Sequence, residues 1–216
     1  MSLTTRPTLD APAEGRLTEW LLRSFALLAL GFMIARWGYA WLREPQRSTL
    51  LLLLVSEGYT LLLVLLARRA AQRDLSLPAV VSTIYAAGFA VLLAPDQTQA
   101  LAPEWLGATL QLCGLLWQLA AKIALGRSFG LLPARRGLVL RGPYRVVRHP
   151  IYLGYLIGHF GFLLVNFSWR NAAVLALLYV AQVVRMRREE AMLCAGLPEY
   201  RAYQRRVPYR LLPFVY

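Results

Sequence analysis

The side chains best suited to chemistry gather in two short stretches of the C-terminal half of the chain. The first, at 141–154, reads RGPYRVVRHPIYLG, and the second, at 185–190, reads RMRREE. From Trp105 to Arg188 there are eleven basic residues and no acidic residue, so this region would attract an anionic group. The two glutamates that follow could hold a cationic group. The same pattern also fits arginines that only set membrane topology and glutamates at a solvated helix end.

Two dipeptides in the first stretch predict its backbone. The GP pair at 142–143 is a turn signal, and the HP pair at 149–150 suits a helix start, because proline is favoured at the first helical position. The free N–H groups of that helix, which begins at Pro150 or Ile151, would point into the preceding loop and could bind a carboxylate or a phosphate. Gly154 and Gly158 would allow close packing against another helix, and Gly154 would also let a ligand approach the backbone.

The composition predicts the elements that carry these stretches. Of the 216 residues, 58% are hydrophobic and 16% are charged, which is unlike a soluble domain. Six apolar windows have lengths near those needed to cross a bilayer, namely Trp20–Leu42, Ser48–Ala67, Leu77–Leu93, Trp105–Ala124, Ile151–Phe167 and Asn171–Val184. Because the last is short and Arg23 and Arg36 interrupt the first, five spans are also possible. The sequence therefore predicts an all-α, polytopic membrane helical bundle.

The charges of the loops predict how this bundle is oriented. Basic residues cluster after the second, fourth and sixth windows, whereas the loop after the third is acidic. By the positive-inside rule, both termini and the 125–150 loop face the cytoplasm, and the candidate pocket lies at that face. We divide the chain into a polar segment over 1–19, transmembrane helices over 20–104 and a functional core over 105–216. The net charge of +13 then reflects topology, and nucleic acid is not an expected partner.

We expect no signal peptide, because the first 19 residues are polar and precede no cleavage pattern. Arginine is used almost to the exclusion of lysine, which is typical of a prokaryotic base-composition bias. We therefore expect the inner membrane of a prokaryote as the location.

Some kinds of site are not indicated. Cys113 and Cys194 match neither a disulfide framework nor a zinc spacing, and His149 and His159 would lie far apart on a helix, so no metal site is expected. Glu57 is the one acidic residue inside the first three windows. An ionisable residue at that depth suggests a function, and the alternative is a buried ion pair, for which Arg36 is the expected partner.

Three blocks, taken in order, resemble one known family. GPYRVVRHPIYLG, then RMRREE, then EYRAYQRRVPYRLLPF are similar to the isoprenylcysteine carboxyl methyltransferases and their phospholipid methyltransferase relatives. The resemblance covers roughly 120–216. It implies a membrane enzyme that uses S-adenosylmethionine, with a cofactor pocket on the cytosolic side between the 141–154 stretch and the C-terminal segment. It also implies the absence of the Rossmann-type fold of most methyltransferases.

The resemblance also implies roles for individual residues. It places an arginine on the methyl acceptor at Arg185, and Arg148 is the competing candidate. The family shows a phenylalanine-glycine pair before its E-Y dipeptide, where this chain has a shorter segment that ends in GLPEY. Cofactor contacts are implied at Arg136, Gly137, Leu138, Val139, Tyr144, His149, Pro150, Ile151, Tyr152, Glu189 and Glu190.

The residue types agree with methyl transfer to a lipophilic acceptor that enters from the bilayer. An arginine beside the acceptor favours a carboxylate, which is deprotonated near neutrality, over an amine, which must lose a proton. The predicted acceptor is therefore the carboxylate of an isoprenoid or lipid-like molecule, with an aminophospholipid as the alternative. Two further classes stay open. One is an NADPH-dependent membrane reductase of isoprenoids or sterols, which Ile151 and the chain length disfavour, and the other is a non-enzymatic membrane scaffold.

Overall fold

The computed structural model describes residues 13–66, 74, 76–94, 98–125 and 140–216. Within these residues the chain forms six long helices, one short helix and a 3-10 turn at Gly142–Arg145. The helices are α1 (Ala13–Arg43), α2 (Ser48–Leu66), α3 (Leu77–Leu92), α4 (Glu104–Leu125), α5 (Pro150–Val165), α6 (Trp169–Gly196) and α7 (Tyr200–Arg206).

The six long helices coincide with the six predicted windows, so the prediction of an all-α membrane helical bundle is confirmed. By length and composition, Ser24–Arg43 and Glu104–Leu125 could each cross a membrane, and three shorter helical segments are also apolar (Ser48–Leu62, Leu77–Leu92 and Pro150–Val165). Two helices are longer than predicted. Helix α1 begins at Ala13, and α6 continues past Val184 to Gly196, so the polar stretch at 185–190 lies on a helix.

Arg36, one of the two arginines that left the first span in question, is accommodated at the end of a neighbouring helix. Its guanidinium donates hydrogen bonds to the carbonyl oxygens of Val91 (2.9 Å) and Leu93 (2.8 Å), at the C-terminal end of α3. Those carbonyls have no partner within their own helix, so the arginine satisfies them. Arg36 is therefore not the partner of Glu57 that we expected, and the base whose charge acts on Glu57 is Lys122.

Polar contacts between chain segments hold one end of the bundle together. Asn171, at the start of α6, donates to the carbonyl oxygen of Ala94 (3.0 Å) and accepts from its N–H (2.8 Å). Gln99 and Phe167 form an isolated antiparallel bridge, and Arg47 donates to the side chain of Asn166. The 141–154 stretch lies at the opposite end, where α4 ends and α5 begins.

Glycines set the close contact between α4 and α5. A methyl group at Gly114 would lie 2.5 Å from the carbonyl oxygen of Gly154, and one at Gly154 would lie 2.5 Å from the side chain of Gln118. Gly107 and Gly161 approach each other in the same way. This is the small-residue packing that the sequence suggested. It fixes where the first turns of α5 stand relative to α4.

Candidate functional site

The backbone of the 141–154 stretch has the predicted form. Gly142 begins the 3-10 turn with a φ of 60°, a left-handed value that favours glycine. Helix α5 begins at Pro150, and His149 is the residue that precedes it as the cap. The turn and the helix start are therefore both confirmed.

The C-terminal segment is bound to this stretch through the backbone. The N–H of Arg148 donates to the carbonyl oxygen of Tyr209, and the N–H of His149 donates to that of Arg210, both at 2.9 Å. The two segments lie about 60 residues apart in sequence and pair immediately before α5. The start of α5 is therefore fixed by the end of the chain.

Glu190 is the ionic centre of this region. Its carboxylate is 3% exposed and accepts hydrogen bonds from Nε of Arg148 (2.7 Å) and Nε of Arg210 (2.8 Å), and Nε2 of His149 lies 3.2 Å away. The side-chain amide of Gln204 donates to the same carboxylate at 3.4 Å. We call these five residues the Glu190 hub. It joins the 141–154 stretch, α6 and the C-terminal segment.

The hub stabilises the ionised form of Glu190. Burial alone would raise the pKa of this carboxyl, but the hydrogen bonds from His149, Arg148 and Arg210 outweigh burial and hold the pKa at about 2. The group therefore stays ionised throughout the physiological range.

The guanidinium of Arg148 donates hydrogen bonds to other groups of the protein. Beside its bond to Glu190, its guanidinium donates to the carbonyl oxygens of Val207 (2.8 Å) and Pro208 (2.6 Å). The roles implied for Arg148 on the acceptor and for Glu190 and His149 on the cofactor stay predictions. The geometry favours a positioning role for these three residues, because each of them already binds other groups of the protein.

Glu189 differs from its neighbour. Its side chain is half-buried, and it forms no ion pair or hydrogen bond with any residue that the structure describes. Its charge nevertheless acts on the hydroxyls of Tyr144, Tyr152 and Tyr200 and on Arg185. Successive residues of a helix point about 100° apart, so only one of two adjacent glutamates can enter the hub. The other is left beside the tyrosines.

Arg185 lies one turn before Glu189 on α6, as predicted. Its guanidinium donates to the hydroxyl oxygens of Tyr152 (3.4 Å) and Thr83 (3.1 Å) and so connects α6 with α5 and α3. Tyr152 is therefore a common neighbour of Arg185 and Glu189. The structure thus brings together three of the residues that the sequence singled out.

The first turn of α5 offers unbonded N–H groups at the same place. The first hydrogen bond inside the helix runs from the N–H of Leu153 to the carbonyl oxygen of His149 (3.2 Å). Among the described residues, the N–H groups of Ile151 and Tyr152 have no acceptor. A helix N-terminus of this kind carries a partial positive charge and suits an anionic group.

Three buried tyrosines, Tyr144, Tyr200 and Tyr203, lie where the 3-10 turn contacts the C-terminal helix α7. The hydroxyl of Tyr203 donates to the carbonyl oxygen of Tyr144 at 2.8 Å. Burial raises the pKa of Tyr144 and of Tyr200 and raises that of Tyr203 to about 12. All three hydroxyls therefore stay protonated and can donate hydrogen bonds.

Four of the implied cofactor contacts, Arg136, Gly137, Leu138 and Val139, lie outside the described residues. Within the described part of the chain, no group of three or more histidine, cysteine or acidic residues could hold a metal ion. Sequence reasoning missed Arg210 and Gln204, which complete the hub. The only available signal was the block EYRAYQRRVPYRLLPF, whose arginines cannot be distinguished by sequence alone.

Comparisons with known proteins point to the same half of the chain. Residues 103–196 match the model of a family described as Phospholipid methyltransferase. This range covers α4, the 141–154 stretch, α5 and α6, including Arg185 and both glutamates. The resemblance seen in the sequence is therefore confirmed for that range.

Two bacterial proteins are similar over 104 residues. The Cobalt-zinc-cadmium resistance protein CzcN of Cupriavidus metallidurans is 35% identical over a region that covers 48% of this chain and 44% of that protein. The Nickel-cobalt-cadmium resistance protein NccN of Alcaligenes xylosoxydans xylosoxydans is 34% identical over 48% of this chain and 45% of that protein. The similarity thus spans less than half the length of each relative.

Replacing Glu190 should destabilise the protein, whereas replacing Glu189 should not. The carboxyl of Glu190 has a folded pKa of about 2 against an ordinary value of 4.5, which corresponds to about 3 kcal/mol of stability above pH 4.5. Because the folded pKa is the lower one, this contribution is lost as the pH falls from 4.5 towards 2. We expect Glu190→Gln to melt well below wild type at pH 7 in detergent.

Thermal unfolding followed by circular dichroism measures this difference. The difference in melting temperature between wild type and Glu190→Gln should narrow as the pH falls from 4.5 towards 2. Glu189→Gln is the matched control and should melt within a degree or two of wild type at pH 7. Equal melting temperatures for the two variants at pH 7 would contradict the assignment of the hub.

Proposed function

We propose, on the premise that residues 103–196 match the model of a family described as Phospholipid methyltransferase, that the protein is a membrane enzyme that transfers a methyl group from S-adenosylmethionine to a lipophilic acceptor. The observation that carries the proposal is that two adjacent glutamates lie in different surroundings. Glu190 is bound in the hub and fixes the polar stretch to the C-terminal segment. Glu189 is left half-buried beside tyrosines and unbonded N–H groups, where a ligand can use it.

The described residues fit the polar parts of this cofactor. S-adenosylmethionine carries an ammonium and a carboxylate, and when bound it supplies a methyl group on a positively charged sulfur. The carboxylate of Glu189 would hold the ammonium or the ribose hydroxyls. The N–H groups of Ile151 and Tyr152 would hold the carboxylate. The hydroxyl of Tyr144 stays protonated and can donate to the same ligand.

Methyl transfer from a sulfonium is an in-line displacement, so the protein contributes alignment more than chemistry. The Glu190 hub supplies that alignment, because it fixes the start of α5 against α6 and the C-terminal segment. No protein nucleophile is needed. Tyr152 and Arg185 border the hub on the membrane side, and the acceptor would meet the cofactor there.

Arg185 makes an anionic acceptor the first choice. A guanidinium beside the reacting group attracts a carboxylate and repels a protonated amine. A carboxylate is already deprotonated near neutrality and needs no base. We therefore propose the carboxylate of an isoprenoid or lipid-like molecule. An aminophospholipid is the second candidate, favoured by the description of the family, and it would need Glu189 as a base because Glu190 and His149 are engaged in the hub.

The proposal also includes an orientation. We propose that the hub faces the cytoplasm of a prokaryotic cell, in its inner membrane, because arginines cluster at that end of the bundle. In a cysteine-free background, Ala134→Cys and Gln204→Cys should react with an impermeant maleimide only in inverted vesicles. Gln97→Cys should react only in intact cells. Labelling of Ala134→Cys and Gln97→Cys from the same side would rule out this topology.

Glu189 should determine the affinity for the cofactor. Loss of one charge-assisted contact is expected to weaken binding by about ten- to a hundred-fold. Calorimetric titration of the purified protein with S-adenosylmethionine measures this, with Glu189→Gln as the variant. The conserved melting temperature of Glu189→Gln would show that the loss is local. Binding of NADPH by wild type in place of S-adenosylmethionine would overturn the proposed function in favour of a reductase, and binding of neither would favour a scaffold.

Arg185 should determine turnover and leave cofactor affinity within a few-fold. If its guanidinium holds the acceptor, Arg185→Met should reduce methylation of a farnesylated thioether carboxylate or a long-chain fatty acid by about ten- to a hundred-fold. Transfer of a radiolabelled methyl group into the lipid phase measures this. Arg188→Met is the control, because Arg188 lies three residues further along α6 and pairs with Asp74 at 3.3 Å. Loss of cofactor binding in Arg185→Met, or unchanged turnover, would contradict the assignment.

A further inference from the structure

A cavity of about 410 Å³ lies between α1 and α3, and the proposed methyl transfer does not use it. The residues that line it include Phe25 and Phe32 on α1 and Ile84, Gly88 and Leu92 on α3. Several of these side chains are exposed, so the cavity opens at the side of the bundle. Residues 84–92 span about 12 Å along the axis of α3. This is close to the depth of one leaflet, since the hydrocarbon core of a bilayer is about 30 Å thick.

The wall of this cavity suits an apolar chain. Among the described residues that line it, Tyr85 alone has a polar side-chain group, and its hydroxyl donates to the carbonyl oxygen of Val174 at 3.0 Å. Gly88 contributes no side chain, and a methyl group there would lie 3.0 Å from the ring of Phe25. A larger side chain at Gly88 would therefore fill part of the cavity.

Two guanidiniums lie at the end of the cavity where α3 terminates. Arg36 on α1 donates to the carbonyl oxygens of Val91 and Leu93, and Nε of Arg170 on α6 donates to that of Leu92 at 2.9 Å. Val91 and Leu92 also line the cavity. Consecutive Cα atoms are about 3.8 Å apart. The two guanidiniums therefore lie within the span of one lipid headgroup.

Both guanidiniums keep donors for a ligand. An arginine has five N–H donors, but Arg36 uses only Nη1 and Arg170 only Nε. Neither forms an ion pair or a further hydrogen bond with any residue that the structure describes. Arg170 is exposed and Arg36 is half-buried. Two positive charges thus border an apolar cavity without a carboxylate bound to either of them.

Exposed tryptophans indicate that this end of the bundle lies at a membrane surface. Trp169, next to Arg170, is 82% exposed, and Trp105, at the start of α4, is 67% exposed. Tryptophan is enriched at the level of the lipid headgroups. The guanidiniums of Arg36 and Arg170 consequently lie near the phosphate groups of that leaflet, and the cavity extends from them towards the acyl chains.

We propose that the cavity between α1 and α3 binds an anionic phospholipid, and we call it the α1–α3 lipid site. Arg36 and Arg170 hold the phosphate through charge-assisted hydrogen bonds, and one acyl chain lies between the helices. A zwitterionic lipid fits less well, because its ammonium would stand beside two arginines. The lipid belongs to the leaflet opposite the Glu190 hub. This inference goes beyond the proposed function and does not depend on it.

Photo-crosslinking with matched lipids tests the site. Wild type in phosphatidylcholine nanodiscs receives a trace of phosphatidylglycerol with a diazirine on its acyl chain, or of phosphatidylcholine with the same tagged chain. Mass spectrometry should map the crosslinks from phosphatidylglycerol to residues 25–32 and 84–92. Their yield there should exceed that from phosphatidylcholine about thirty-fold, because each arginine near an anionic headgroup contributes roughly five-fold.

Variants of the two arginines test the headgroup contact. Arg36→Met and Arg170→Met should each lower the yield from phosphatidylglycerol about five-fold, and the double variant should remove the preference. Arg170→Met is the decisive variant, because this exposed side chain makes a single hydrogen bond and its loss should leave the melting temperature close to wild type. Arg43→Met is the matched control and should keep the preference, because Arg43 lies at the same end of α1 over the ring of Tyr39.

A glycine pair tests the position of the acyl chain. Gly88→Leu should lower the yield from both lipids several-fold at residues 25–32 and 84–92, because the new side chain occupies the cavity. Gly31→Leu is the matched control on α1, since a methyl group at Gly31 would meet no atom within 4 Å. This variant should crosslink like wild type.

Three results would overturn the inference. One is an equal yield from the two lipids in wild type, or a preference that survives in the double arginine variant. Another is competition by an excess of glycerol phosphate, which would make free phosphate the ligand. The third is an absence of crosslinks in the cavity together with a dimer that Gly88→Leu dissociates, which would make a second copy of the chain the occupant.

Discussion

The buried carboxylate of Glu190 is the constraint on which the functional half of the molecule depends. It binds two guanidiniums and an imidazole that come from two segments far apart in sequence. A buried ion of this kind is strongly destabilising if any partner is removed, because the remaining charge stays uncompensated. The two segments must therefore close together around α6. The start of α5, the C-terminal segment and the last turns of α6 form a single structural unit for this reason.

That unit gives the two adjacent glutamates opposite roles. The helix period rotates Glu189 away from the hub, and the hub holds α6 in one rotational setting. Glu189 is consequently directed to the tyrosines and Arg185, and it cannot exchange places with Glu190 without breaking the four contacts of the hub. A rigid structural charge thus orients a second charge that has no partner among the described residues. Preorganisation of this kind reduces the free-energy cost of ordering the site when a ligand binds.

Much of the fold could be predicted from the sequence, because the membrane limits the choices. Apolar windows gave the six long helices, and the dipeptides at 142–143 and 149–150 gave the turn and the start of α5. The partners of the charged residues could not be predicted in the same way. Glu190 binds Arg210 because of how the C-terminal segment folds back, and Glu57 is near Lys122, not Arg36, because of how α2 and α4 are rotated. Neither the fold-back of the C-terminal segment nor the rotation of these helices leaves a periodic signal in the sequence.

The arrangement of polar groups along α5 also agrees with the proposed position of the site at a membrane boundary. His149 belongs to the hub, Tyr152 contacts Arg185, and Tyr155 contacts Lys122, so each step of about one helical turn moves deeper into the bundle. The groups at the outer end suit a charged, water-soluble ligand, and those at the inner end are few and enclosed by apolar helices. Because Tyr152 and Arg185 lie between the two environments, a polar donor and a lipophilic acceptor would meet there without either leaving its own phase. A site deep in the bilayer would have to desolvate the cofactor, and one in water would have to extract the lipid.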